Sequence, residues 1–116
     1  MTDQSPVLTK AVTRAADRLG ISRPLLAQVL GVSARKTERL CDDGYQLDER
    51  RKEWELALLF VRAFRSLDSI VGDEQIAHRW IRSDNRALNG RHIDLIGQVQ
   101  GLVRVVHYLE ASVAQI

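Results

Sequence analysis

Nine of the eleven residues from Trp54 to Phe64 are apolar, Glu55 and Arg62 being the exceptions. A surface helix carries one apolar stripe, so a segment apolar on most of its faces has to be covered on most of them. The run lies inside a helical pattern predicted from Leu47 or Asp48 to Ile70. This predicts a central spine, shared between two subdomains and available to a second protomer. A chain of 116 residues is long enough for one compact unit or two subdomains on a common core. The longest unbroken apolar stretch, Leu56 to Val61, is far short of a membrane span. No basic stretch followed by an apolar one marks a signal peptide. The single cysteine, Cys41, has no internal disulfide partner. A cytoplasmic protein with no membrane contact is expected.

The rest of the chain also reads as helical, which predicts an all-α fold. No Asn-Gly or Asp-Gly is flanked by alternating apolar strands. Met1 to Ser5 are polar and expected to fray. Val12, Ala15, Ala16 and Leu19 recur at helical spacing, and Gly20 ends that helix. Ser22 is placed to cap a helix from Arg23 to Leu30, with Pro24 tolerated in its first turn. After the turn at Gly31-Val32, Ser33 caps a third helix to about Cys41, closed by Asp43-Gly44. Beyond the spine, Gly72 stops the chain and Asp73 starts a helix whose Ile76, Ala77 and Trp80 face the core. A turn from Asp84 to Gly90 leads to a helix around Ile93–Gln100. Gly101 punctuates, and Leu102 to about Val113 forms the last helix. The expected division is residues 1–50 and 51–116.

Charge is unevenly spread. Lys10 to Cys41 holds seven basic and two acidic residues, whereas Asp42 to Glu55 holds six acidic and three basic ones. A local basic block suits an element that faces nucleic acid. Within it, Leu26, Ala27, Leu30, Gly31, Val32 and Ser33, followed by Thr37, Arg39 and Leu40, resemble a helix-turn-helix of the Xre kind. A small Ala27 lets two helices cross closely, Gly31 supplies unusual backbone angles, and Leu30, Val32 and Leu40 lock the pair. The resemblance implies that the third helix enters the major groove, with Ser33, Arg35, Lys36, Thr37 and Arg39 as candidate base or phosphate contacts. Arg23 would hold phosphate at the head of the second helix. The alternatives are solvated charges on an ordinary helical hairpin, and a helix-turn-helix kept without DNA, because Asp42, Asp43, Asp48 and Glu49 would repel phosphate.

The last third carries a more specific pattern. Trp80, Asn85, Ala87, Leu88 and Gly90 precede an Asp94-Leu95-Ile96 helix, followed by Gly101, Arg104, Val105, Tyr108 and Leu109. Over roughly residues 70–110 this resembles the toxin-binding domain of the Xre/MbcA/ParS-like antitoxins, partners of RES-domain toxins. Relatives often have proline just before the Asn and at the start of the next helix. Here Asp84 and His92-Ile93 stand in those places. Asp retains turn-forming chemistry, and a lost first-turn proline costs only a preset φ.

The resemblance implies a helix-turn-helix bundle continuous with a helical domain that packs on the toxin and blocks the pocket where it degrades NAD. The contacts it suggests are Asn85, Arg86, Asn89, Arg91, Arg104, Tyr108, Gln115 and Ile116. An arginine there could pair with acidic groups or occupy a phosphate-oriented pocket. The bland reading stands beside it. Trp80, Leu88, Leu95, Ile96, Val105 and Leu109 are core residues under any function, Asn85 fixes its own turn, and Tyr108 covers apolar surface.

No catalytic constellation, cofactor motif or metal-ligand spacing is expected. His78, His92 and His107 are not placed on one helix turn, and Glu74 with His78 reads as a surface pair. The leading expectation is a non-enzymatic antitoxin that binds a RES-domain toxin and operator DNA as a homodimer. Its rivals are a stand-alone helix-turn-helix transcriptional regulator without a toxin partner and an interaction adaptor with a vestigial DNA element.

Overall fold

The computed structural model describes residues 4–115. It contains α1 (Ser5–Leu19), α2 (Arg23–Leu30), α3 (Ala34–Cys41), α4 (Lys52–Val71), α5 (Glu74–Ile81), a hairpin of β1 (Asp84–Asn85) and β2 (Gly90–Arg91), α6 (His92–Leu95) and α7 (Val99–Val113). The fold is all-α apart from that two-residue strand pair. Met1–Asp3 and Ile116 lie outside the described residues, while Ser5 is already helical.

The helix ends follow local chemistry. Ser22 and Ser33 accept from the backbone N–H groups of Leu25 and Lys36, and the Asp73 carboxylate accepts from Gln75 and Ile76, so each cap satisfies amides that have no intrahelical partner. Gly20, Gly31 and Gly72 end α1, α2 and α4 in the left-handed region, which L side chains rarely occupy. Asp43 takes a left-handed φ of 63° beyond α3.

α4 is the spine. It packs on α1, α2, α5 and α7, and buries Leu56, Ala57, Phe60, Val61, Ala63 and Leu67. Burying Phe60, which is 1% exposed, contributes about 2–3 kcal/mol by area. Its cover is incomplete, since Leu58 is 43% exposed.

Five expectations change, the first being that the helix expected around Ile93–Gln100 is only the short His92–Leu95, with a break before Val99. α4 begins at Lys52, later than Leu47 or Asp48, because tertiary contacts capture the preceding backbone. The buried Leu47 donates its N–H to Thr9 Oγ1 at 3.0 Å, and Asp48 donates to Glu53 Oε2 at 3.0 Å. The turn at Asp84–Gly90 is a hairpin in which Asp84 pairs with Arg91 and Asn85 with Gly90; Asn89, at φ 60°, turns the chain. Ile76 is 42% exposed and does not face the core. Gly101 lies within α7 and does not end a helix. A Cβ there would strike the Leu95 carbonyl oxygen and lie 2.8 Å from its carbon. Glycine is therefore what lets α6 and α7 meet at this corner.

Candidate functional site

Two separate faces carry the candidate residues. The first surrounds α3. Arg35 and Arg39 lie one helical turn apart on its exposed side. Arg39 also donates to the Gly44 carbonyl at 3.0 Å. Arg35 has no partner among the described residues. Ser33 is exposed, but its hydroxyl oxygen is committed to the helix cap.

The other basic residues are drawn into ion pairs. Lys36 lies 3.4 Å from Glu53 and over the Tyr45 ring, 4.7 Å from its centroid. Glu53 is buried and also accepts from the Tyr45 hydroxyl and the Asp48 amide. Burial, reinforced by Glu53, pushes the Tyr45 hydroxyl above its usual pKa. Arg23 pairs with Glu38 and with Asp42, the latter at 3.2 Å. Asp48 pairs with Arg50 and Arg51, and hydrogen bonds from Arg50 hold its carboxyl below the ordinary range. Two of the acids expected to repel phosphate, Asp42 and Asp48, are thus compensated within the chain.

Thr37 requires a correction. It is fully buried, and its hydroxyl donates to the Ser33 carbonyl of the preceding turn at 3.0 Å. It packs inside the helix pair and presents nothing to a base edge.

The second face is built on the hairpin. The Asn85 Oδ1 accepts from the Leu88 N–H at 3.3 Å, which closes the turn. Leu88 is buried beneath it, and Arg86 and Asn89 stand exposed on it. Arg91 forms a two-pronged pair with Asp94 at 2.8 and 3.1 Å. Arg104, on α7, donates to the Leu88 carbonyl at 2.9 Å and thereby holds the hairpin against the last helix. One turn further along, Tyr108 is 38% exposed. Gln115 is exposed beyond the end of α7. Asn85, Arg86, Asn89, Arg91 and Arg104 are therefore brought together; Gln115 extends beyond the helix end, and Ile116 lies outside the described residues. Of the expected core, Leu88, Ile96, Val105 and Leu109 are buried, while Trp80 and Leu95 are partly so.

Two residues important to this face escaped the sequence reading. His92 is 1% exposed. Its Nδ1 lies 2.9 Å from the Trp80 carbonyl and its Nε2 3.1 Å from the Asn85 Nδ2, with the ring stacked on Trp80 at 3.5 Å. Only its position, where relatives have proline, marked it. Arg82 donates to the carbonyls of Leu19, Gly20 and His78 at 2.8–2.9 Å. It clamps the C-terminal end of α1, where the helix dipole favours a cation, to α5. No spacing in the chain announced that contact.

Residues 2–62 match the family model for the antitoxin Xre-like helix-turn-helix domain, and residues 66–112 match that for the antitoxin Xre/MbcA/ParS C-terminal toxin-binding domain. The first match alone spans more than half of the chain, and the seam between the two falls inside α4. No curated protein matches the chain.

Proposed function

Because this chain belongs to the Xre-like antitoxins, whose helix-turn-helix and toxin-binding domains it carries, we propose that it neutralises a cognate RES-domain toxin by covering the toxin's NAD-degrading pocket and represses its own operon. In this reading residues 1–50 face DNA and residues 51–116 face the toxin. The observation that carries it is the exposed basic hairpin held on a buried apolar base, with Arg86 and Asn89 outward and Arg104 bracing Leu88 from behind. A preformed polar projection loses little conformational entropy on docking. Its cations suit the acidic or phosphate-oriented surroundings of a nucleotide pocket. Neutralisation then acts by occlusion and charge, with no bond made or broken by this chain.

For DNA, Arg35 and Arg39 are the reading pair, with Ser33 at the head of α3 and Lys36 and Arg23 in reserve for phosphate. One such unit reads few bases, so a homodimer on two half-sites is the working form. Co-expression with a RES-domain toxin encoded beside this gene tests the main claim. Restored growth and retained cellular NAD are expected. Stable association without protection would defeat the occlusion mechanism, and no association at all would favour a regulator without a toxin. Replacing Arg35 and Arg39 by Ala should abolish the operator shift and leave toxin association intact.

A further inference from the structure

The hairpin that would meet the toxin is closed by a single buried imidazole. The Trp80 carbonyl only accepts, so the ring proton lies on His92 Nδ1, 2.9 Å away. The opposite nitrogen, Nε2, then carries a lone pair and accepts from the Asn85 Nδ2 at 3.1 Å. That contact fixes the orientation of the Asn85 amide and leaves Oδ1 for the Leu88 N–H. The His92 backbone N–H also reaches the Ser83 carbonyl at 3.4 Å. One residue thus ties the end of α5, the first strand and the turn into one unit. It stands in a place where relatives often carry a ring that presets φ.

We propose that His92, in its neutral Nδ1–H form, is the positioning residue that holds the toxin-facing hairpin in its binding shape. The proposal rests on the toxin-binding reading above. Its mechanism is a matter of donors and acceptors. A second ring proton would place an N–H of Nε2 against the two N–H groups of the Asn85 amide. Turning that amide would offer Oδ1 to the ring, but would take it from Leu88 and open the turn.

Burial is the larger influence on the ring and pushes its pKa down. The carbonyls of Trp80 and Ser83 and the charge of Asp84 pull the other way. Arg91 and Asp94, on either side of His92 in sequence, pair with each other. Arg82, at the end of α5, is committed to carbonyls of α1 and α5.

The test uses the full chain in two arms. In the first, amide exchange of Leu88, corrected for its intrinsic pH dependence, is followed from pH 8 to 5 in the isolated protein. In the second, the dissociation constant for the purified neighbouring RES-domain toxin is measured over the same range. In the wild type, protection should fall and the dissociation constant should rise as pH drops, by up to about tenfold per unit once His92 titrates. His92→Phe keeps the stacked ring but neither nitrogen, and should bind at least tenfold more weakly with a flat His92-dependent profile. Asn85→Asp offers a carboxylate that still accepts from Leu88 but now prefers a protonated Nε2, so both profiles should reverse. A His92→Phe protein that binds and exchanges like the wild type overturns the proposal. So does an Asn85→Asp protein with the wild-type pH trend, which decides the matter even if His92→Phe fails to fold. If the wild type binds no toxin at any pH, the toxin reading fails, while the exchange arm still judges the role of His92 in the hairpin.

Discussion

Replacing Gly101 by Ala sets two calculable effects against each other. Gly101 is the third residue of α7 and is buried. In a helix, Gly→Ala ordinarily stabilises by about 1 kcal/mol. Here the added Cβ would overlap the Leu95 carbonyl oxygen, with the carbonyl carbon at 2.8 Å and Cα at 3.1 Å. All three are backbone atoms, so no rotamer change relieves the clash, and the α6–α7 corner must move. Overpacking of this kind costs about 1–3 kcal/mol, more where backbone is displaced. Taking about 4 kcal/mol for the clash, the net loss is about 3 kcal/mol. Over 116 residues, an unfolding entropy of about 2.1 cal/mol/K per residue makes each kcal/mol worth about 4 °C. The melting temperature should therefore fall by about 12 °C, read by differential scanning calorimetry at fixed protein concentration. A melting temperature equal to or above that of the wild type would refute the close approach and return Gly101 to the helix-ending role its spacing suggested.

Thr37→Val replaces a buried hydroxyl whose acceptor, the Ser33 carbonyl, also receives the Thr37 N–H. Stability should stay within about 1 kcal/mol and operator affinity should be unchanged; selective loss of the operator shift would place Thr37 back among the readers. Arg82→Met removes three charge-assisted hydrogen bonds to Leu19, Gly20 and His78, and should cost about 2 kcal/mol in urea titration. Arg82→Lys, lacking the fork, should recover less than half of that, and an unchanged midpoint in the Met variant would show the clamp to be idle. His92 has a folded-state pKa below its ordinary value near 6.5 because of burial, so the unfolded chain binds more protons as pH falls. Its contribution is complete above pH 6.5 and is lost below it, by up to about 1.4 kcal/mol per pH unit. Urea midpoints at pH 7.5 and 5.5 should differ in this sense for the wild type and by less for His92→Phe.

What the chain reveals on its own follows the range of the forces involved. Ser22, Ser33 and Asp73 cap their helices through bonds two or three residues long, and Gly20, Gly31 and Gly72 end helices through their own φ. Such features are visible in a short window. The late start of α4 is not, because it depends on Thr9 capturing the Leu47 amide from 38 residues away. Gly101 misled for the same reason: its purpose is the approach of Leu95, not the conformation of its own backbone. The hairpin of two-residue strands has no alternating pattern to detect, and Asn89-Gly90 alone lacks the flanking apolar alternation. At the candidate site, the resemblance together with polar character suggested Arg35, Arg39, Arg86 and Asn89. The supports beneath them, Glu53, Arg82 and His92, emerged only from burial and long-range bonding.

The join between the two matched regions lies within an unbroken helix, between residues 62 and 66 of α4. Length changes there propagate as rotation. One inserted residue would turn everything beyond it by about 100° and advance it by about 1.5 Å. Arg82 would swing away from the carbonyls it reaches on α1. The Arg62–Glu110 ion pair, which joins a residue before the seam to one on α7, would be lost with it, so the two matched regions fit one another only in a fixed helical phase.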